Sequence, residues 1–160
     1  MKRFKLLTIL LLSILIITGC TKKTSTCDEF NRLAREQGFE VVDYTKAYGY
    51  ANKVYQTSSD SHLAFFVEGK KQKEVQGIFL DEVKNMYVAA GVKSKSEREN
   101  NEEDQGPEPI KNGGDSWGTV EITTDDTYYY ISYIKNTMLY IKCNISEKDK
   151  FVHIKDTMKY

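Results

Sequence analysis

The chain has 160 residues, with 23 basic and 23 acidic side chains, 11 tyrosines and two prolines. That length fits one folded domain, and the charge, mildly negative once residues 1–19 are set aside, argues against nucleic acid or an anionic membrane as the main partner. No internal stretch is apolar for long enough to cross a bilayer.

The first twenty residues set the address. Lys2, Arg3 and Lys5 form a positive start, followed by an apolar run from Leu6 to Ile17 broken only by Thr8 and Ser13. A spanning helix needs about 20 apolar residues, so this run reads as a signal peptide over residues 1–19. It ends in Ile17-Thr18-Gly19-Cys20. These four residues resemble the bacterial lipobox: a branched apolar residue, a small residue, Gly or Ala, then Cys. The resemblance implies cleavage between Gly19 and Cys20 and a diacylglyceryl group on the Cys20 thiol. The protein would then sit at the extracytoplasmic face of a cell membrane, held by acyl chains such as palmitate. Two chains suffice for stable attachment. An ordinary signal peptide, or an uncleaved anchor that happens to carry a Cys, is the alternative. Without residues 1–19, 20 basic side chains face 23 acidic ones, a net of −3.

Residues 20–26 are the lipidated cysteine and a short polar tether, and 27–160 form the domain. Thr26 and Glu29 make a T-x-x-E capping box for a first helix. Cys27, Phe30, Leu33 and Ala34 share its buried face, and Gly38 stops it, with Phe39 folding back. Glu40–Asp43 reads as a short strand. A Tyr- and Gly-rich connection over 44–49 follows. Ala51–Thr57 and His62–Glu68 make a hairpin around a Ser-rich turn. A second helix runs from about Lys71 to Ala90, tolerates Gly77, and ends at Gly91.

Residues 92–115 are charged and poor in apolar groups, and they hold both prolines. They read as a long, mobile acidic loop. Glu97, Glu99, Glu102, Glu103 and Asp104 lack calcium-loop spacing and read as solvated. Ser116–Thr123, Tyr128–Ile134 and Thr137–Asn144 form a three-strand meander turning at Asp125-Asp126 and Lys135-Asn136. Ser146 caps a last helix that buries Phe151, Ile154 and Met158. The order α-βββ-α-βββ-α predicts an α+β fold: an antiparallel sheet with helices packed on one face.

Further residues carry a resemblance. Thr26-Cys-Asp-Glu-Phe30, Gly38-Phe39, Tyr128-Tyr-Tyr-Ile-Ser132 and Asn136-Thr137-Met-Leu-Tyr140, together with the lipobox, resemble small single-domain lipoproteins of Gram-positive bacteria. The resemblance spans most of the mature domain and implies no activity and no functional residues. The chain departs from it in the Lys-Asn turn, where Gly-Asn is expected, and in its acidic loop.

Cys27 and Cys143 are the two other thiols. Export permits a disulfide between them; two small buried hydrophobes are the alternative. No nucleophile elbow, HExxH, phosphate loop or dinucleotide motif is present. His62 and His153 stand alone and read as structural or solvated, and neighbouring acids such as Asp81-Glu82 do not converge. Nothing supports an enzyme, a metal (none) or a cofactor (none). The candidate binding face is aromatic: a two-residue turn at Lys135-Asn136 puts Tyr129, Ile131 and Tyr133 beside Met138, Tyr140 and Lys142. Tyr129, Tyr133, Tyr140 and Lys142 on an open sheet face would suit a protein, peptide or glycan partner. Tyrosine filling half-exposed strands is the plainer reading. The expected role is a lipid-anchored binding or adaptor domain. The alternatives are an envelope hydrolase built from dispersed residues, marked by converging carboxylates or a His–acid pair in a pocket, or a structural surface lipoprotein.

Overall fold

The computed structural model describes residues 24–93 and 107–160. The signal peptide, Gly19, Cys20, most of the tether and the acidic cluster at 97–104 lie outside the described residues.

The first helix, α1 (Cys27–Glu36), begins where Thr26 Oγ1 accepts from the Glu29 N–H at 3.2 Å. That is half of the expected capping box. The next N–H, that of Cys27, donates to the Glu68 carboxylate at 2.6 Å. At the other end Gly38 takes φ 86°, Phe39 N–H donates to Ala34 O, and Gly38 N–H donates to Arg35 O. This paired closure satisfies two carbonyls that the helix end leaves free.

Strands β1 (Val42–Asp43), β2 (Ala51–Ser59) and β3 (His62–Gly69) follow, with a 3-10 turn at Thr45–Ala47. Helix α2 (Gln72–Ala90) ends at Gly91, φ 68°. Next come β4 (Ile110–Gly114), β5 (Trp117–Thr123), β6 (Thr127–Ile134) and β7 (Thr137–Asn144). A 3-10 turn at Ile145–Glu147 leads into α3 (Lys148–Thr157). Ser146 lies in that turn and the start of α3 has no side-chain cap, contrary to expectation. β4 is also a correction, since it occupies the end of the expected loop. Every residue of β4 is exposed and two are glycine, so it carries no apolar alternation to read.

The seven strands form one sheet in the order β1-β2-β3-β7-β6-β5-β4, and every neighbouring pair is antiparallel. The α+β class therefore holds. The helices, however, cover both faces rather than one. Phe66, Tyr128, Tyr130, Leu139 and Ile141 pack with α1 and α3. Val67, Tyr129, Ile131, Tyr133 and Met138 pack with α2. The reason lies in β6, which is buried at every position from Tyr128 to Ile134. A strand apolar on both sides needs a layer on each.

Cys27 and Cys143 are free, buried thiols in the same core. Cys27 Sγ donates to Phe66 O at 3.5 Å, whereas Cys143 sits opposite His62. Those two rungs are four residues apart along β3, about 13 Å at strand spacing, too far for a bridge. Of the two readings the disulfide is not formed, and two small buried hydrophobes are what the structure holds. Burial pushes both thiols up to about 12. Iodoacetamide at pH 8 is therefore expected to leave Cys27 and Cys143 unmodified in the native protein and to alkylate both in denaturant without reductant. Rapid native labelling, read by intact mass, would contradict this burial.

Candidate functional site

The Lys135-Asn136 turn forms as expected, and Tyr129, Ile131 and Tyr133 share a face with Lys142, Tyr140 and Met138. That face is not open. Val75, Phe79, Met86 and Ala90 of α2 lie against it. Tyr129 and Tyr133 are 4% exposed and Tyr140 is 7% exposed. The Tyr129 hydroxyl donates to Ala89 O at 3.4 Å. Tyr133 stacks obliquely on Phe79 at 4.8 Å and accepts from Gln76 Nε2 at 3.1 Å. Lys142 is exposed, its ammonium 5.8 Å from the Tyr129 ring centre. Tyr129 and Tyr133 are core, and the proposed docking set does not form a surface.

Beside that covered patch a cleft opens. Helix α2 packs mainly over β6, and beyond its edge β2 and β3 turn the same face toward solvent. Val54 and Gln56 come from β2; Leu63, Phe65 and Val67 come from β3; Tyr140 comes from β7. These six lie on one side because successive strand residues alternate and the register pairs Gln56 with Phe65 and Phe65 with Tyr140. Ile78 and Glu82, one turn apart on α2, form the opposite wall. Tyr48 and Tyr50 close the end. Their loop is fastened by Ala51 N–H to Tyr48 O, Lys70 N–H to Tyr50 O, and Lys70 Nζ to Gly49 O at 2.7 Å. The enclosed volume is about 260 Å³.

Four aromatic rings shape this space. Tyr48 and Tyr50 meet edge to face at 5.5 Å, and Phe65 stacks on Tyr140 at 4.9 Å. Burial first, then the neighbouring Tyr48 and the Glu82 charge, push the Tyr50 phenol up to about 12. Burial first, then Glu82, also raises Tyr140. Both phenols therefore stay neutral, and the formal charge in the lining is that of Glu82. No basic side chain lines the cleft. Of the expected residues only Tyr140 reaches this site. Tyr48, Tyr50, Phe65 and Glu82 were legible only as a turn, a strand and a helix. The one available signal was Tyr-Gly-Tyr, two aromatics across a glycine beside a half-buried strand.

The chain also holds a His–acid pair. His62 Nδ1 lies 3.1 Å from Glu147 Oε2, and its Nε2 lies 3.0 Å from Thr57 Oγ1. Acid, imidazole and hydroxyl stand in the order a nucleophilic relay uses. Thr57, however, is 2% exposed, and neither it nor Glu147 lines the adjoining cavity of about 160 Å³. Ser59 and Ser61 do line it, but both approach Nδ1, the nitrogen that already faces the acid. Phe39 and Phe151 hold the ring, at 4.7 and 5.4 Å. The cluster acts as a fastener between the β2–β3 turn and the start of α3, with Ser61 Oγ also donating to Glu147 at 2.8 Å. His153 is exposed on α3. Among the described residues no three acidic, His or Cys side chains are grouped to hold a metal, and no helix is long and apolar enough to cross a membrane.

No protein-family model and no curated protein matches the chain. Among solved structures, a GTP binding regulator from Thermotoga maritima is similar at 9% identity and a TM-score of 0.44, covering 81% of this chain and 84% of that one. A likeness that distant carries no conclusion about what this chain binds.

The fastener has a measurable role. Glu147→Ala removes the partner of a largely buried imidazole and of Ser61, and is expected to cost about 1–3 kcal/mol. A denaturant midpoint equal to that of the unaltered protein would show that the cluster holds nothing together.

Proposed function

We propose that the protein is a binding domain, anchored through a diacylglyceryl group on Cys20 at the extracytoplasmic face of a membrane, and that its ligand enters the aromatic cleft. The observation that carries this reading is the cleft itself: four rings and one carboxylate around a space that no described side chain fills. Half-buried aromatics offer apolar area with polar edges at low entropic cost, which suits binding. The anchor is supported by Ile17-Thr18-Gly19-Cys20 and the charged, apolar leader before it. The site differs from the Tyr129–Tyr133 face that the strand pattern suggests, and Tyr140 is the one residue common to both.

Two experiments test the two halves. Labelled palmitate is expected to enter the intact protein, and Cys20→Ala is expected to release it from the membrane fraction; a variant that stays with the membrane removes the anchor. A photoreactive residue at Gln56, inside the cleft, is expected to crosslink a discrete species in intact cells, whereas one at exposed Asp149 is not. The double variant Tyr48→Ala, Tyr50→Ala should abolish the Gln56 product while the protein still gives the dispersed amide spectrum of a folded domain. Equal products from both positions would remove the cleft as the binding site.

A further inference from the structure

We propose that the cleft takes a quaternary ammonium group, of the kind choline carries, an inference that rests on the binding role assigned above. A cation over aromatic faces is attracted by the ring quadrupoles, most strongly where water is displaced. Elsewhere in this protein the chain's own lysines occupy such positions. Lys53 stands over Tyr55 at 5.0 Å, Lys111 over Tyr87 at 4.8 Å, Lys148 over Tyr128 at 4.7 Å and Lys155 over Tyr130 at 4.8 Å. Among the described residues none stands over Tyr48, Tyr50, Phe65 or Tyr140. Glu82 likewise has no ion pair there; its polar contact is a 3.4 Å hydrogen bond from Asn85 Nδ2. Its neighbour Asp81 is paired with Lys84 at 3.1 Å. Rings and carboxylate together thus form a cation site whose cation comes from outside the described chain.

The chemistry of the walls selects among cations. A primary ammonium carries three N–H donors and strong hydration, and each donor left unmatched in the cleft costs free energy. Val54, Leu63, Val67 and Ile78 accept nothing and form the apolar part of the lining, beside Glu82, Gln56 and the tyrosine hydroxyls. A trimethylammonium group has no donors and presents methyl groups to those walls. Size agrees: about 260 Å³ lies below the roughly 300–1,000 Å³ of pockets that take drug-sized ligands, which fits a headgroup-sized cation. Charge narrows the source. No basic side chain lines the cleft, and Glu82 repels an attached phosphate, so the ligand is a free choline-like cation rather than a phosphocholine headgroup.

The test is a titration of the full chain in maltoside detergent, followed by amide chemical shifts. Choline is expected to shift residues around the cleft and to bind about tenfold more tightly than its neutral isostere, 3,3-dimethylbutan-1-ol. Phosphocholine and n-butylammonium should both bind more weakly than choline. Glu82→Gln, which keeps the side chain's size and removes its charge, should weaken choline about tenfold, and Phe65→Leu should weaken it as well. Equal binding of the neutral isostere, or tighter binding of butylammonium or phosphocholine, overturns the proposal, as does an absence of choline shifts. None of these results touches the Gln56 crosslink, so the binding role stands or falls separately.

Discussion

The β3–β7 ladder is the interaction on which the rest of the structure depends. β1–β3 and β4–β7 are each local meanders whose strands pair with their sequence neighbours. Only the pairing of His62–Glu68 with Thr137–Cys143 joins them into one sheet. It is a costly contact to close, because about 70–80 residues separate its partners and loop entropy rises with that separation. What repays it is burial: Phe66 against Leu139, Ala64 against Ile141 and Val67 against Met138 are nearly dry pairs at the middle of the sheet. Antiparallel alignment also leaves the two outer strands, β1 and β4, short and exposed, which limits edge-to-edge association.

Once the halves are joined, the position of α2 follows from its own contacts. Phe79 on Tyr133, Gln76 on the Tyr133 hydroxyl and Ala89 O on Tyr129 tie it to β6. Gly118 under this contact has no room for a side chain: a Cβ would lie 2.7 Å from the Tyr133 ring. A helix is only about 10 Å wide, whereas seven strands span roughly 29 Å. One helix seated over β6 therefore cannot also cover β2 and β3. The other face has two helices, α1 and α3, and is closed. The cleft is thus a consequence of one helix serving a face that needs two.

Much of the fold was legible in the sequence, and the misses have physical causes. α1 could be read because Thr26, Gly38 and Phe39 act locally, within one or two turns of the residues they satisfy. The hairpins could be read because strand alternation and turn composition are also local. The placement of helices could not. An apolar strand of the Tyr128–Ile134 kind is compatible with one covered face and tyrosine on the other, or with two covered faces, and tyrosine fits both. The pairing of β3 with β7 decides it, and no short-range pattern encodes that contact. The same gap hid the site: Tyr48, Phe65, Glu82 and Tyr140 come from four segments and converge only after the sheet is whole. The two thiols stay open between a bridge and buried hydrophobes in the sequence for the same reason, since sequence separation says nothing about which rung of β3 each one meets.

The fastener at the far end of the hairpin completes the logic of the cleft. Its floor is made of β2 and β3, and a two-stranded hairpin alone is barely stable. Three ties hold it. β7 pairs along one side of β3, the Tyr48–Tyr50 loop is bonded to Lys70 at one end, and His62 with Ser61 is bonded to Glu147 at the other. Each tie is made by backbone or polar groups rather than by the ring faces that line the cleft. Tyr48, Tyr50 and Phe65 are left half-buried beside the buried Tyr140. A rigid floor set before the ligand arrives removes the ordering cost that a loose one would impose on binding. That division, with polar knots at the ends and half-buried rings in between, separates this cleft from the tyrosines beneath α2, whose hydroxyls and faces are already spent on the helix.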